Sequence, residues 1–395
     1  MDTEVSITVD ELLSRISGLE SMIREASGEA ESNRQLSSHV ADALREAGCY
    51  RMFRPRSRGG LDFDPVSGFR VIEELARIDS AAGWNVAIAN ASEPFGAWFS
   101  DAATEKVFGP ADSVLCGAFN PPRRAVPVDG GYQVSGRCSF NSNCTAANWN
   151  LGLAHIYDGE TERLDENGVP ETLIVLIPMD EMEIINNWDT LGMRGTGSHD
   201  VNVDDVFVPA ERAVPFVPDF EPSSAYNGPF HLLTVWPPVA CNAVSALGVA
   251  QAAIDEFVEL ATKKIPAYTE RTVRDKDVTQ FRFAKARARL ESARAYLHET
   301  FDNAWQRALD GKALAMEDRA TLQLSATNVV IASAESVDLI HSLVGASGIR
   351  NNNKFQRYFR DAHVITQHGF VCESRLEAVG QVNLGLDPTW PFFYF

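Results

Sequence analysis

Residues 187–209 read NWDTLGMRGTGSHDVNVDDVFVP. Trp188 precedes a turn made by Leu191, Gly192 and Met193. Residues 194–198, Arg-Gly-Thr-Gly-Ser, form a glycine-rich loop with two hydroxyls and one cation. Such a loop suits a phosphate or a ribityl chain, because glycines let backbone N–H groups approach an anion. Residues 200–208 then read as a strand. Upstream, the segments 113–119, 131–140, 149–157 and 172–177 have the same texture. They are short, rich in Val, Ile and aromatics, and bounded by Gly, Pro, Asn and Asp, as in an all-β domain. Pro121 with Pro122, Asp129 with Gly130 and Gly131, and Asp158 with Gly159 supply the expected turns.

Helical patterns flank this β region on both sides. Thr8 and Glu11 open a capping box ahead of Leu12, Leu13, Ile16, Leu19 and Ile23. The segments 37–46, 66–78 and 81–99 continue in that style. Residues 214–229, with four prolines, read as a linker. Beyond it the spacing predicts four long helices at about 239–264, 276–310, 315–345 and 354–380, which indicates an antiparallel bundle. The expected organisation is α+β in three domains: an N-terminal helical domain over 1–112, a central antiparallel β domain over 113–228 and a C-terminal four-helix bundle over 229–395. No period of 20–50 residues repeats, which excludes solenoids and propellers.

Composition narrows the function classes. The 395 residues carry a formal net charge of −19, with 45% hydrophobic and 23% charged residues. These are the values of an ordinary globular protein. The acidic balance argues against nucleic acid and against an anionic membrane surface. It leaves open anionic small molecules, which need only one or two local cations. Six cysteines form no CxxC pair, so the expectation is reduced, buried thiols rather than zinc knuckles or disulfides. The histidines show no metal-ligand spacing, and no metal is expected. The N-terminus lacks the pattern of a signal peptide, and no apolar run stands out as long enough to span a bilayer. A cytoplasmic protein is expected.

Three stretches sharpen the reading: GRCSFNSN at 136–143, the run at 187–209 and FRDAHVITQH at 359–368. Together they resemble the acyl-CoA dehydrogenase superfamily. More closely they resemble its monooxygenase branch, the oxygenase components of two-component flavin systems. The resemblance covers about residues 10–380. It implies reduced flavin, FADH2 or FMNH2, with O2 as co-substrate and activation of oxygen at flavin C4a. It further implies a separate flavin reductase, a small aromatic or heteroaromatic substrate, and a homotetramer. The absence of a GxGxxG fingerprint between strand and helix agrees with a separate reductase.

The resemblance also assigns residues. Phe140 and Ser142 would present the flavin ring, alternation placing both on one strand face, with the Ser142 hydroxyl donating near flavin N5. Trp188 would lie near the ring, Asn120 along the flavin, Ser198 at its phosphate, and Arg271 would lend a cation to a phosphate. In the dehydrogenases a glutamate a few residues after the RDA run removes the substrate α-proton. Here that position falls on Gly369, beside His368. A neutral imidazole suits a phenol, an indole N–H or a peroxide proton better than a carbon acid. His368 is therefore the expected acid/base, with His363 as its rival on another side of a helix. Glu373 lies too far along to serve. Aromatic hydroxylases of this branch carry a histidine near the end of the third apolar helix. This chain has none there, so either the substrate is held differently or Asn90, Ser92 or Glu93 takes part. The alternatives are a divergent acyl-CoA dehydrogenase or flavin oxidase, an N-hydroxylase of an amino substrate, or a flavin-binding scaffold without chemistry.

Overall fold

The computed structural model describes residues 7–395; the first six, part of the stretch read above for a leader, lie outside the described residues. Five helices come first: α1 (Val9–Asn33), α2 (Ser38–Ala47), α3 (Pro65–Ile78), α4 (Ser80–Ser92) and α5 (Asp101–Phe108). Thr8 closes the expected capping box with Glu11. Asp64 and Asp79 cap α3 and α4 by accepting first-turn N–H bonds. The strands are β1 (Leu115–Val128), β2 (Gly131–Asn141), β3 (Trp149–Asp158), β4 (Thr161–Glu162), β5 (Thr172–Pro178), β6 (Glu183–Ile185), β7 (His199–Pro209) and β8 (Ala213–Pro215). They form one sheet in the order β6-β7-β2-β1-β3-β5-β8, with β4 on β3. The sheet is mixed rather than purely antiparallel, because β1 and β3 run parallel. Pro121 and Pro122 do not make a turn. They sit inside β1 at an irregularity between Ala118 and Arg123, where the missing N–H groups are tolerated.

The last third contains α6 (Trp236–Lys263), α7 (Asp277–Leu309), α8 (Met316–Val344), α9 (Lys354–Ile365) and α10 (Leu376–Asn383). The expected fourth helix is thus two helices, broken over 366–375. By length and hydropathy α6 and the stretch Met316–Ile349 are each apolar enough to cross a membrane, contrary to the sequence reading. The apolar window of α6 is 94% buried inside the protein, as the central rod of the core. Residues 216–228 are no free linker either. Phe216 stacks on Phe395 at 4.3 Å, Phe220 on Trp98 at 3.8 Å, and Tyr226 is buried.

The N-terminal helices and the bundle share one hydrophobic core. Helix α3 lies between α4 and α6 at very short range, which glycine makes possible. A Cβ on Gly83 would stand 2.5 Å from Ala76 Cα, and one on Gly248 would stand 2.3 Å from Glu73 O. The β region has its own two smaller cores.

All three regions meet at one polar junction. Asp361, buried in α9, accepts from the backbone N–H of Met193 at 2.6 Å and from Ser80 Oγ at 2.5 Å. Arg360 donates to Leu191 O and to Glu31 of α1 at 2.7 Å. Gly192 fits against this turn of α9, since a Cβ there would come within 2.6 Å of the Arg360 backbone. Burial pushes the Asp361 carboxyl up to about 6 from its ordinary 3.8.

Two outcomes follow from the packing and the junction. Gly248→Ala must push α3 from α6 and should lower the unfolding free energy by about 1–3 kcal/mol, read from denaturant melts. An unchanged midpoint would show that the helices slide apart freely. Asp361 has a raised folded pKa, so its contribution is fully present below pH 3.8 and is lost as pH rises through about 6. Asp361→Asn keeps an acceptor for Met193 N–H without the charge. Relative to wild type, it should remove a decline of up to about 1.4 kcal/mol per pH unit between pH 4 and 6. Parallel stability–pH curves for the two proteins would contradict that assignment.

Candidate active site

A cavity of about 690 Å³ opens where the sheet, α4, α6 and the break after α9 converge. Its polar wall is made by Ser139, Ser142, Thr196 and Ser198. Its apolar wall is aromatic, with Trp84, Phe95, Phe119, Phe370, Trp390 and Phe392 among its residues. Of the expected site residues, Asn120, Phe140, Ser142, Trp188, Ser198 and His368 all line it. Arg271 does not. It lies on the exposed loop between α6 and α7, bonded to Asp275 O and 3.9 Å from Asp277.

The hydroxyls form a chain whose direction is fixed. The Met193 carbonyl can only accept, and Thr196 Oγ1 donates to it at 2.8 Å. Thr196 must therefore accept from Ser198 Oγ at 2.6 Å, and Ser198 from Ser142 Oγ at 2.6 Å. Ser142 in turn accepts from Trp84 Nε1 at 2.9 Å. Each hydroxyl has one hydrogen. The Ser142 hydrogen is thus committed to Ser198, and what Ser142 offers the cavity is a lone pair. This differs from the donor expected from the sequence. Ser198 sits in the middle of the chain instead of on a phosphate cradle. Arg194 of the glycine-rich loop is held by Asp189 at 2.7 Å and Thr190 O at 2.9 Å.

Phe140 and Ser142 do not share a strand face by alternation. Phe140 has φ +62°, the ladder shifts between Cys138 and Asn141, and Ser142 lies past the end of β2. The left-handed turn swings both side chains to the cavity. Phe140 is 64% exposed, and its ring stands edge-on to Trp188 at 6.0 Å. Trp188 is fixed by Nε1 donating to Met193 O at 2.9 Å and by its N–H donating to His199 Nδ1 at 3.1 Å. Open aromatic surface beside a hydroxyl wall fits a planar, hydrogen-bonding ring such as isoalloxazine.

His368 and His363 part company. His363 is on α9, pairs with Asp338 at 2.9 Å and lies outside the cavity wall. His368 is not helical. It follows the end of α9, in a segment held by Gln323 donating to Phe370 O at 3.0 Å. Its ring packs edge-on against Trp84 at 5.3 Å. Burial lowers its pKa from 6.5 to about 4, so the imidazole is neutral at pH 7. Its Nδ1 faces the Phe370 N–H at 3.4 Å, which leaves Nε2–H for the cavity. Gly369, at the position of the dehydrogenase base, also lines the cavity, and no Asp or Glu does so among the described residues. Asn90 and Glu93 are structural. Asn90 bonds Met52 N, Cys49 O and Val86 O, and Glu93 makes a buried bidentate pair with Arg54 at 2.7 and 3.0 Å. Of the three candidates in that segment only Ser92 reaches the cavity. The six cysteines are free, and among the described residues no group of His, Cys, Asp and Glu could hold a metal.

Sequence reasoning passed over Thr196 as a chain member, Trp84 as a donor, and Arg375, Trp390 and Phe392 as wall residues. The aromatic density of the C-terminal WPFFYF was the available signal for the last two.

Comparison with known proteins agrees with this geometry. Residues 240–373 match the family model of the acyl-CoA dehydrogenase C-terminal domain. The chain is 30% identical to an indole-3-acetate monooxygenase of Acinetobacter baumannii over 366 residues, 92% of each chain. It is 31% identical to a protein of the same name from Pseudomonas putida, covering 91% of this chain and 90% of that one. Among solved structures, 3-HSA hydroxylase from Rhodococcus sp. RHA1 superposes with a TM-score of 0.85 at 25% identity, over 98% of this chain and 99% of that one. With relatives of 30% and 31% identity covering nine-tenths of the chain, the chain is a member of the flavin-dependent monooxygenases built on the acyl-CoA dehydrogenase fold.

Proposed function

We propose that this protein is the oxygenase component of a two-component system that hydroxylates a small aromatic substrate, with reduced flavin delivered by a separate reductase. The observation that carries the reading is the cavity wall. It has aromatic rings for a flat substrate, hydroxyls for a flavin edge, one neutral imidazole and no carboxylate base. The absence of a carboxylate among the described wall residues argues against α-proton abstraction from an acyl thioester. When bound, the reduced flavin supplies the electrons that activate O2. The chain's own residues do the rest. Phe140, Trp188 and Asn120 flank the flavin. Ser142, whose hydrogen is committed to Ser198, accepts from a flavin N–H. Reduced flavin carries a hydrogen at N5 and oxidised flavin does not, so a fixed acceptor favours the reduced form. The aromatic wall excludes water. His368 offers Nε2–H to the substrate heteroatom or to the oxygen being transferred. The exposed apolar side chains Ile265, Tyr268 and Phe281 around the α6–α7 turn support a homo-oligomer, in which that turn, with Arg271 on it, faces a neighbouring copy. The free thiols support a reducing, cytoplasmic setting.

Anaerobic titration tests the acceptor. Wild type should bind reduced flavin more tightly than oxidised flavin. Thr196→Val removes the end of the chain and frees its direction, so the ratio of the two affinities should fall about tenfold. An unchanged ratio would remove the chain from flavin selection. Single-turnover product analysis tests His368. His368→Ala should slow hydroxylation about 10²–10⁴-fold while flavin affinity is retained. With a pKa lowered to about 4, the wild-type rate should show no inflection from His368 between pH 6 and 8. A histidine-dependent inflection near 6.5 would mean that the imidazole is solvated during turnover.

A further inference from the structure

The cavity wall carries a single permanently charged side chain among the described residues, Arg375. Most of the buried or half-buried arginines described above face an acid: Arg54 meets Glu93, Arg194 meets Asp189, and Arg360 meets Glu31. No ion pair is recorded for Arg375 among the described residues. It is held instead by two contacts that leave its charge uncompensated. Its Nε donates to Gly369 O at 2.6 Å, and its guanidinium lies over the Trp390 ring, 4.6 Å from the centroid. A guanidinium fixed through Nε and stacked on a ring has its plane set, with Nη1 and Nη2 left as a fork. That fork stands at the aromatic end of the cavity. Trp390 packs on Phe392 at 5.3 Å, Phe392 on Phe370 at 4.9 Å, and Phe370 on Phe119 at 6.2 Å.

A protein with a net charge of −19 repels anions in general, so an uncompensated cation kept on a cavity wall is a local exception. Its complement is a compact, planar anion attached to an aromatic ring. We propose that Arg375 is the substrate-anchoring residue and that the substrate is an aromatic carboxylic acid. Its ring lies among Phe119, Phe370, Trp390 and Phe392, and its carboxylate is bidentate on Nη1 and Nη2. Among the described residues the wall has no second cation, so one carboxylate is accommodated and a dianion is not. This inference rests on the aromatic hydroxylase reading for the identity of the ring, and on Arg375 alone for the charge.

The experiment pairs acids with their neutral amides at three ring sizes: phenylacetate, indole-3-acetate and 1-naphthylacetate, each against its acetamide. Binding is followed by tryptophan fluorescence of the full-length protein, and turnover by product formation with reduced flavin. Wild type should bind at least one acid about tenfold or more tighter than its amide. Arg375→Gln should weaken that acid about 10–100-fold, leave the amide unchanged and raise KM more than it lowers kcat. Arg375→Lys, which keeps the charge but loses the fork, should fall between. Thermal melts monitor folding of each variant. No preference for any acid over its amide, or equal acid binding by wild type and Arg375→Gln, overturns the inference. So does a loss of flavin affinity in Arg375→Gln with the acid-to-amide ratio intact, which would give the cation to the flavin. Arg375-dependent acid binding with no oxygenated product from any probe supports the anchor and counts against the hydroxylase reading. Oxygenated product at equal KM in both proteins does the reverse.

Discussion

The structure depends on one buried carboxylate that has no cation of its own. Asp361 takes the Met193 N–H and the Ser80 hydroxyl, and so ties the bundle to the β region and to the first turn of α4 in a single group. Charge-assisted bonds of this kind contribute roughly 1.5–3 kcal/mol each, and losing one partner leaves the other group buried and unpaired. The residue whose N–H donates to Asp361 accepts through its own carbonyl. The Met193 carbonyl receives Trp188 Nε1 and Thr196 Oγ1, and through Thr196 it sets the direction of the whole hydroxyl chain to Ser142. A packing constraint between domains thereby becomes the polarity of an active-site wall.

The second constraint is the interruption between α9 and α10. A continuous helix over 354–380 would have carried the histidine away with its own face. Ending α9 at Ile365 and pinning the next segment by Gln323 turns His368 inward, against Trp84. Burial there keeps the imidazole neutral, so it serves as a hydrogen-bonding group at neutral pH and not as a stored charge. The same interruption brings Gly369 O to Arg375 Nε, which orients the only permanent charge on the wall among the described residues. The break between the two helices therefore supplies both the neutral donor and the cation.

Much of this was legible in the residues. β-branched and aromatic content bounded by turn residues located β2, β3, β5 and β7 within a residue or two, because both signals are local and survive without tertiary context. Helical spacing did the same for α2, α3, α7 and α8. The motifs at 136–143, 187–209 and 359–368 pointed to the family, and Phe140, Ser142, Trp188, Ser198 and His368 within them line one cavity together with Asn120. What failed did so for identifiable reasons. Pro121 and Pro122 entered a strand because an irregularity in the ladder spared their absent N–H groups. The proline-rich 214–229 became a packed strap because its aromatics found partners far away in sequence.

The sequence by itself determined the element order, the class of chemistry and some of the residues on the wall, since these rest on local pattern and on motifs read in order. Only the tertiary structure decided which hydroxyl donates and which accepts, which of His363 and His368 faces the cavity, and that Arg375 is a cation without an acid. Each of those is a relation between groups that only the folded chain brings together, from Ser198 against Ser142 to His368 against Trp84. Hydrogen-bond direction, burial and charge compensation belong to pairs in space, and no spacing along the chain encodes them.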